Sequence, residues 1–456
     1  MERIIDVDYL VVGAGAMGMA FVDALVANAD VSVAIVDRRH GAGGHWLDAY
    51  GFVRLHQASA FYGVASTLLG GGRVQTDGPE HGLHERASAA ELAEYYARVL
   101  ERLTATGRVR FFPRSEYIGD RRFVSLLSGA RFSAPGARVV DARYLSPDIP
   151  LLTPPPFAVD ERVRVVAVNE LVRITHAPEK YVIVGAGKTA TDTCVWLLVN
   201  GVSPSAITWV RPRDPWLLNR AVVQPDPAVF LGMAADTMIA ATDAADPDDA
   251  FLRMEDAGIM LRLDPAVTPT MAKTPTLATW ELDLARTVED VVRRGHLRAV
   301  APGRLSFTDG EVRVPADAMI VHCAAEGLKY PGLRPIWTEE AITPQPVRVG
   351  FPCFGAALVG YVEATRDTDA EKNRVCRPSP YSDTPQDWTL MQTIGGDASL
   401  AMSKETDMRA WSNATWLNPA RVTPAQAADP AVAAAGARLR EHIAPGRARL
   451  AEMAGR

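Results

Sequence analysis

The chain has 456 residues, with 48 Lys and Arg against 54 Asp and Glu for a formal charge of −6, 48% hydrophobic residues and four cysteines. At about 150 residues per domain this length predicts two or three domains with ample apolar material for packed cores. A mildly acidic balance without a Lys/Arg tract excludes a nucleic-acid backbone or an anionic membrane as a first-guess partner. Cys194, Cys323, Cys353 and Cys376 lie far apart and form no C-x-x-C, so no disulfide framework, zinc ribbon or redox dithiol is read, and a reducing cytoplasm is the simplest setting. His81 and His84 lack a third ligand at metal-site spacing, and no metal is expected.

In chain order, residues 9–22 (YLVVGAGAMGMAFV) form an uncharged run that imitates a signal peptide or half a membrane span. Three glycines at turn spacing, the acids Glu2, Asp6 and Asp8 ahead of it, and Asp23 after it argue against both. Residues 8–37 instead read as one βαβ unit: a strand over 9–12, a helix over 16–27 and a strand over 31–36 ending at Asp37. A helix is predicted over 88–103 and strands over 108–112 and 138–141. The proline-rich 147–157 (PDIPLLTPPPF) reads as a hinge, since it suits neither helix nor central strand. The βαβ grammar returns with a strand over 181–184, a helix over 188–199 and a strand over 206–210, the glycine motifs lying 172 residues apart (185 − 13). Residues 212–280 read as helix and loop without β alternation, an insertion suited to covering a cleft. A strand over 318–321, a buried helix over 354–365 and a Trp- and Pro-punctuated helical tail complete the pattern.

Gly13-Ala14-Gly15-Ala16-Met17-Gly18 is G-x-G-x-x-G placed after a strand and opening a helix. The first glycine permits the tight turn, the second the approach of a pyrophosphate, and the third close packing of helix on strand. Asp37, followed by Arg38, stands where an acid binds an adenosine ribose. The second motif, Gly185-Ala186-Gly187-Lys188-Thr189-Ala190, is G-x-G-x-x-A. Its Gly-Lys-Thr is no P-loop, because the first P-loop glycine falls on Val182. Arg211 and Arg213 occupy the place that Asp37 holds in the first unit; guanidinium groups there suit a 2′-phosphate and so NADPH, the alternative being plain surface charge.

After Asp37 come Gly43-Gly44-His45-Trp46 and then Tyr50-Gly51-Phe52-Val53-Arg54-Leu55-His56-Gln57-Ala58-Ser59-Ala60-Phe61-Tyr62. With these segments the sequence resembles the two-dinucleotide-binding flavoproteins, and among them the class B flavin monooxygenases that include Baeyer-Villiger enzymes. Those carry an FAD glycine motif, a G-G-x-W segment, a Y-P-G-x-R-x-D-x-x-S-like stretch beside the flavin and a second, NADPH-binding glycine motif. Order and spacing match over roughly the first 215 residues. The departures are His56 where Baeyer-Villiger enzymes place an aspartate, the absence of the F-x-G-x-x-x-H fingerprint, and altered domain crossings at Asp141-Ala142-Arg143 and His322-Cys323-Ala324-Ala325.

The resemblance implies an α/β fold of two Rossmann-like domains, the NADPH domain inserted in a discontinuous FAD domain. Its parts would be an FAD-binding segment 1–150, an NAD(P)H-binding domain 158–315 carrying the helical insertion, a second FAD-binding segment 316–375, and a C-terminal helical segment 376–456. It further implies FAD and NADPH as cofactors, molecular oxygen and a small organic molecule as reactants, and oxygen transfer through a peroxyflavin. Gly44, His45, Trp46 and Gln57 would line the flavin side. Arg54 would hold negative charge near the ring, or merely support its loop; His56 would move protons near neutral pH, or be a hydrogen-bonded structural histidine. Asn219-Arg220 would contact the nicotinamide or substrate, or cap a helix. Two further readings remain: a flavin dehydrogenase, reductase or oxidase without oxygenation, and a non-catalytic nucleotide-binding protein.

Overall fold

The computed structural model describes residues 2–325, 327 and 331–456, so residues 326 and 328–330 of the expected second FAD segment lie outside the described residues. The first unit forms as expected, with strand β1 (Tyr9–Val12), helix α1 (Ala16–Asn28) and strand β2 (Val33–Val36). Helix α2 (Ala89–Ala105) starts on a capping box in which Ser88 and Glu91 satisfy each other's backbone donors, and it buries Leu92, Tyr95, Tyr96, Val99 and Leu103 at helical spacing. With β3 (Val109–Phe112) and β4 (Arg138–Asp141) the strands make a parallel sheet in the order β4-β1-β2-β3. A meander of Ser115–Gly119, Arg122–Ser125 and Arg131–Ser133, joined by Arg3–Ile4, forms a separate sheet that hydrophobic patterning does not announce.

The second unit comprises β5 (Val165–Ala167), β6 (Tyr181–Val184), α3 (Lys188–Val199) and β7 (Ile207–Val210). The insertion after it is not purely helical. It contains β8 (Trp216–Asn219), α4 (Pro227–Asp243), α5 (Pro247–Asp256), β9 (Met260–Arg262), β10 (Thr276–Leu277) and α6 (Thr279–Arg286), and its three strands pair as β9-β8-β10. These strands are two to four residues long and β8 begins with the buried pair Trp216 and Leu217, so no alternation betrays them. The chain then adds β11 (Val291–Val292) and β12 (Met319–His322), giving the all-parallel order β5-β12-β6-β7-β11. The strand expected over 318–321 therefore belongs to the second sheet, hydrogen-bonded to β6, and the return to the first sheet falls after His322. There the backbone of Ile342 pairs with Val139 and Asp141 of β4 at 2.9 and 2.8 Å.

Helix α7 (Pro352–Thr365) is buried almost throughout because it crosses α1 at backbone distance, Gly360 lying against the Phe21 carbonyl where a Cβ would overlap it. This packing, with the sheet on its other side, also explains why α1 is apolar all round. Its one acid, Asp23, pairs with Arg102 at 2.6 Å and accepts hydrogen bonds from the amide and hydroxyl of Ser66. The tail contributes α8 (Pro385–Ser403) and α9 (Pro430–Met453), which packs along α4 where Gly446 meets the backbone of Met238. No helix among the described residues is long and apolar enough to cross a membrane.

Candidate functional site

Each glycine motif has a physical reason to be glycine. Gly13 takes a positive φ of 106°, and a Cβ on Gly18 would overlap the Gly13 carbonyl, so α1 closes on its strand only without side chains there. Asp37, buried at the end of β2, fixes the loop by accepting from the Ala14 amide at 2.7 Å, and its other oxygen accepts from Arg39 at 2.7 Å. Gly44 stands against Gly15 so closely that a Cβ would come 2.8 Å from its Cα, which joins the G-G-x-W turn to the first motif. That turn, Gly44–Asp48, carries a Trp46 whose indole donates to Tyr62 at 2.7 Å and a His45 that burial holds at a pKa of about 4. Arg38 is exposed beyond Asp37, and Ala16 and Met17 form the first turn of α1.

In the second motif Gly185 has φ 139° and lies under the Cys323 carbonyl, 2.9 Å from where its Cβ would be. A Cβ on Gly187 would meet nothing within 4 Å, so the backbone there is open to the approach of a ligand. Ala190 is wholly buried in the packing position, and Thr189 accepts at its carbonyl from the Thr193 hydroxyl. Both altered crossings thus sit where they serve the motifs: Ala142 and Arg143 against Gly13 and Gly18, Cys323 against Gly185. Neither α1 nor α3 has a side-chain N-cap, which they share with α6 and α7, but only α1 and α3 start on a glycine; α2, α4, α5, α8 and α9 are capped by Ser88, Asp226, Asp246, Thr384 and Asp429. The residues present therefore fit a dinucleotide diphosphate at each of the two helix starts.

Between the units lies a buried ion network that sequence reasoning missed. Arg220, fully buried, donates to Glu80 at 2.7 Å, to Glu281 at 2.6 Å and to the His56 carbonyl at 2.8 Å. Arg86 bonds Glu80 and the Leu55 carbonyl, and lies 3.8 Å from Glu281. Lys188 pairs with Asp192 and stands 3.8 Å from Glu281, while Tyr50 donates to Asp192 at 2.8 Å. Glu281 is buried, yet Lys188, Arg220 and Arg86 overcome that burial and hold its carboxyl at about 2. Asn219 caps the turn after β8 through Ala221, so of the pair read as nicotinamide contacts one is a cap and the other the centre of this network. Its partners lie 61 and 140 positions away along the chain, and no local pattern links them.

The loop carrying Arg54, His56 and Gln57 is placed by that network through the Leu55 and His56 carbonyls. His56 is an exposed residue of this loop, and the enclosing protein together with Lys188, Arg220 and Arg86 lowers its pKa to about 3. This differs from the expectation of a group titrating near neutrality: enclosure first, and the three cations after it, favour the neutral imidazole. Arg54 is exposed and donates to the Arg86 carbonyl at 3.0 Å, beside the start of α2; Gln57 is half-buried. Of the two arginines after β7, Arg211 is buried over the Trp209 ring and 3.3 Å from Asp214. Arg213 is committed to Asp383 at 2.7 Å and the Thr270 carbonyl at 2.7 Å, so it faces the C-terminal segment instead of the end of β7 where a 2′-phosphate reader was expected. Burial pushes the Cys323 and Cys353 thiols up to about 12. Among the described residues no group of three or more His, Cys, Asp or Glu is placed to hold a metal.

No protein-family model matches the chain. Over 421 residues it is 40% identical to the Mycobacterium tuberculosis (strain H37Rv) protein described as "Uncharacterized protein Rv2000", spanning 91% of this chain and 78% of that one. The same figures hold for "Uncharacterized protein Mb2023" of Mycobacterium bovis. Among solved structures, cyclohexanone monooxygenase from Rhodococcus sp. Phi1 bound to NADP+ matches with a TM-score of 0.51 at 14% identity, covering 97% of each chain. Oxidized steroid monooxygenase bound to NADP matches with a TM-score of 0.51 at 12% identity, covering 79% of this chain and 85% of that one. The fold is that of the two-dinucleotide-binding flavoprotein monooxygenases.

Proposed function

We propose that this chain, which belongs to the family of the Mycobacterium tuberculosis protein Rv2000, is an FAD-dependent, NADPH-using oxidoreductase that inserts one atom of molecular oxygen into a small organic substrate. The observation that carries the reading is the pair of glycine-opened helices, α1 and α3, left without side-chain caps in a chain whose other long helices are mostly capped. An uncapped helix start keeps its first-turn N–H groups for an anion and turns the positive end of the helix dipole toward it. Two such starts suit two dinucleotides, and the NADP+ or NADP bound in both monooxygenase structures supports NADPH at the second.

In this reading the first motif holds the FAD diphosphate, Asp37 its adenosine ribose, and the turn carrying Gly44, His45 and Trp46 closes over it. The second motif holds the NADPH diphosphate at Gly187. Bound FAD supplies hydride acceptance from NADPH and the activation of oxygen. The protein orients and shields: Arg220 ties the loop carrying His56 to Glu281 and so fixes one nucleotide unit against the other, and the buried charges around it keep that seam closed to bulk water. Neutral His56 offers a hydrogen bond at the cleft without adding charge. A second reading, a flavin oxidase or dehydrogenase, is favoured by this same His56 standing where the resemblance places an aspartate. Isotope-labelled oxygen distinguishes them: label in the organic product supports the monooxygenase, while label recovered as hydrogen peroxide, or turnover with another electron acceptor in its absence, supports the second.

A further inference from the structure

The ends of β7 and β11 carry an arrangement that the sequence reading of Arg211 and Arg213 left out. The two strands run parallel with Trp209 opposite Val291 and Val210 opposite Val292, and the Arg211 amide donates to the Val292 carbonyl at 3.0 Å. Residues 211 and 293 therefore leave the sheet side by side at its C-terminal edge, where a βαβ unit places the residue that reads the adenosine ribose. Arg293 grips the buried Asp214 with Nε at 2.8 Å and Nη2 at 3.3 Å, and the same Nη2 reaches Asp264 at 2.8 Å. Arg211 reaches the same Asp214 Oδ1 through Nη2 at 3.3 Å, and its buried Nε has no hydrogen-bond partner.

We infer that Arg293, with Arg211 behind it, reads the 2′-phosphate of NADPH, and that Asp264 sets how strongly it does so. This rests on the reading of the second motif as an NADPH site. The two guanidiniums share one buried carboxylate, Asp214, which leaves one positive charge. Asp264 cancels it, but the side chains of Asp264 and Arg293 are each 32% exposed, whereas that of Asp214 is 6% exposed. A 2′-phosphate, carrying more charge and more acceptor oxygens than a single carboxylate, displaces Asp264 from the outward face of Arg293. The bare 2′-hydroxyl of NADH cannot. Arg213, held by Asp383, plays no part.

The test is calorimetric binding of two probes to the flavin-loaded protein, adenosine 2′,5′-bisphosphate and 5′-AMP. Arg293→Gln should weaken the bisphosphate about tenfold or more and leave 5′-AMP within about twofold, the scale of one lost charge-assisted contact. Asp264→Asn, at a partly exposed position, should act with the opposite sign and strengthen the bisphosphate about threefold with 5′-AMP unchanged. A preference for the bisphosphate that neither substitution moves overturns the assignment while leaving the nucleotide site standing. If neither probe binds the unsubstituted protein, the NADPH site itself is absent and the assignment falls with it. Circular dichroism of each variant separates misfolding from lost recognition, and the Asp264→Asn gain is a result that misfolding cannot mimic.

Discussion

Arg220 is where the account of the seam is most exposed to experiment. Its side chain is wholly buried and binds two carboxylates and a backbone carbonyl at 2.7, 2.6 and 2.8 Å. Arg220→Met keeps much of the volume and removes the charge. Breaking a buried pair by deleting one partner costs about 3–5 kcal/mol, because the other charge stays behind. Here Glu80 keeps Arg86, and Glu281 keeps Lys188 and Arg86 at 3.8 Å together with the Ala278 amide at 2.9 Å, so the loss should sit near the lower end, about 3 kcal/mol. Urea unfolding of the flavin-loaded protein measures it. The double variant with Glu281→Gln should cost clearly less than the sum of the two single changes, since each removes the other's reason to be charged. The acid side adds a signed check. Glu281 has a folded pKa of about 2 against 4.5 for the free group, so its contribution is complete above about 4.5 and is lost between 4.5 and 2 as pH falls. In Arg220→Met that loss should move to higher pH. A variant within about 0.5 kcal/mol of the parent, or strictly additive with Glu281→Gln, would refute the network as described.

Gly187→Val should leave the unfolding midpoint nearly unchanged, because its side chain enters space with no protein atom within 4 Å of the Cβ, and yet abolish NADP+ binding measured by calorimetry. Gly18→Val should instead lower both stability and the flavin-to-protein ratio on purification, since its side chain meets the Gly13 carbonyl. The pKa values of His45 and His56, lowered to about 4 and about 3, mean that the unfolded chain takes up protons which the folded chain refuses as pH falls below about 6.5; stability should drop through that window, and His45→Asn with His56→Asn should flatten the slope of unfolding free energy against pH. Between pH 5 and 8 the rate of flavin reduction should show no ionisation that disappears in His56→Asn, as a stopped-flow pH profile would reveal.

What the sequence made legible was the local part. Both βαβ units follow from apolar runs that stop at glycines, and Ser88 with Glu91 marks the start of α2 by a rule spanning three residues. Gly44 was legible as part of the G-G-x-W segment, but its contact with Gly15 was not, because only the fold brings two loops to backbone distance. The strands of the insertion stayed hidden, as each has at most four residues and β8 opens with two buried ones. The change of side by Arg213, toward Asp383 170 positions away, and the depressed pKa of His56, caused in part by Lys188, Arg220 and Arg86, depend on charges that the chain brings in from afar. Charged residues taken singly read as surface, and their pairing inside the seam is a property of the folded chain alone.

The most direct measurement is an anaerobic titration of the purified, flavin-loaded protein with NADPH, followed by the yellow absorbance of the flavin. If two dinucleotides meet across the seam as proposed, the absorbance should bleach with one NADPH per flavin, faster than with NADH, and return when oxygen is admitted. A protein that binds no flavin, or one that binds flavin and NADPH together and keeps its colour, would contradict the account.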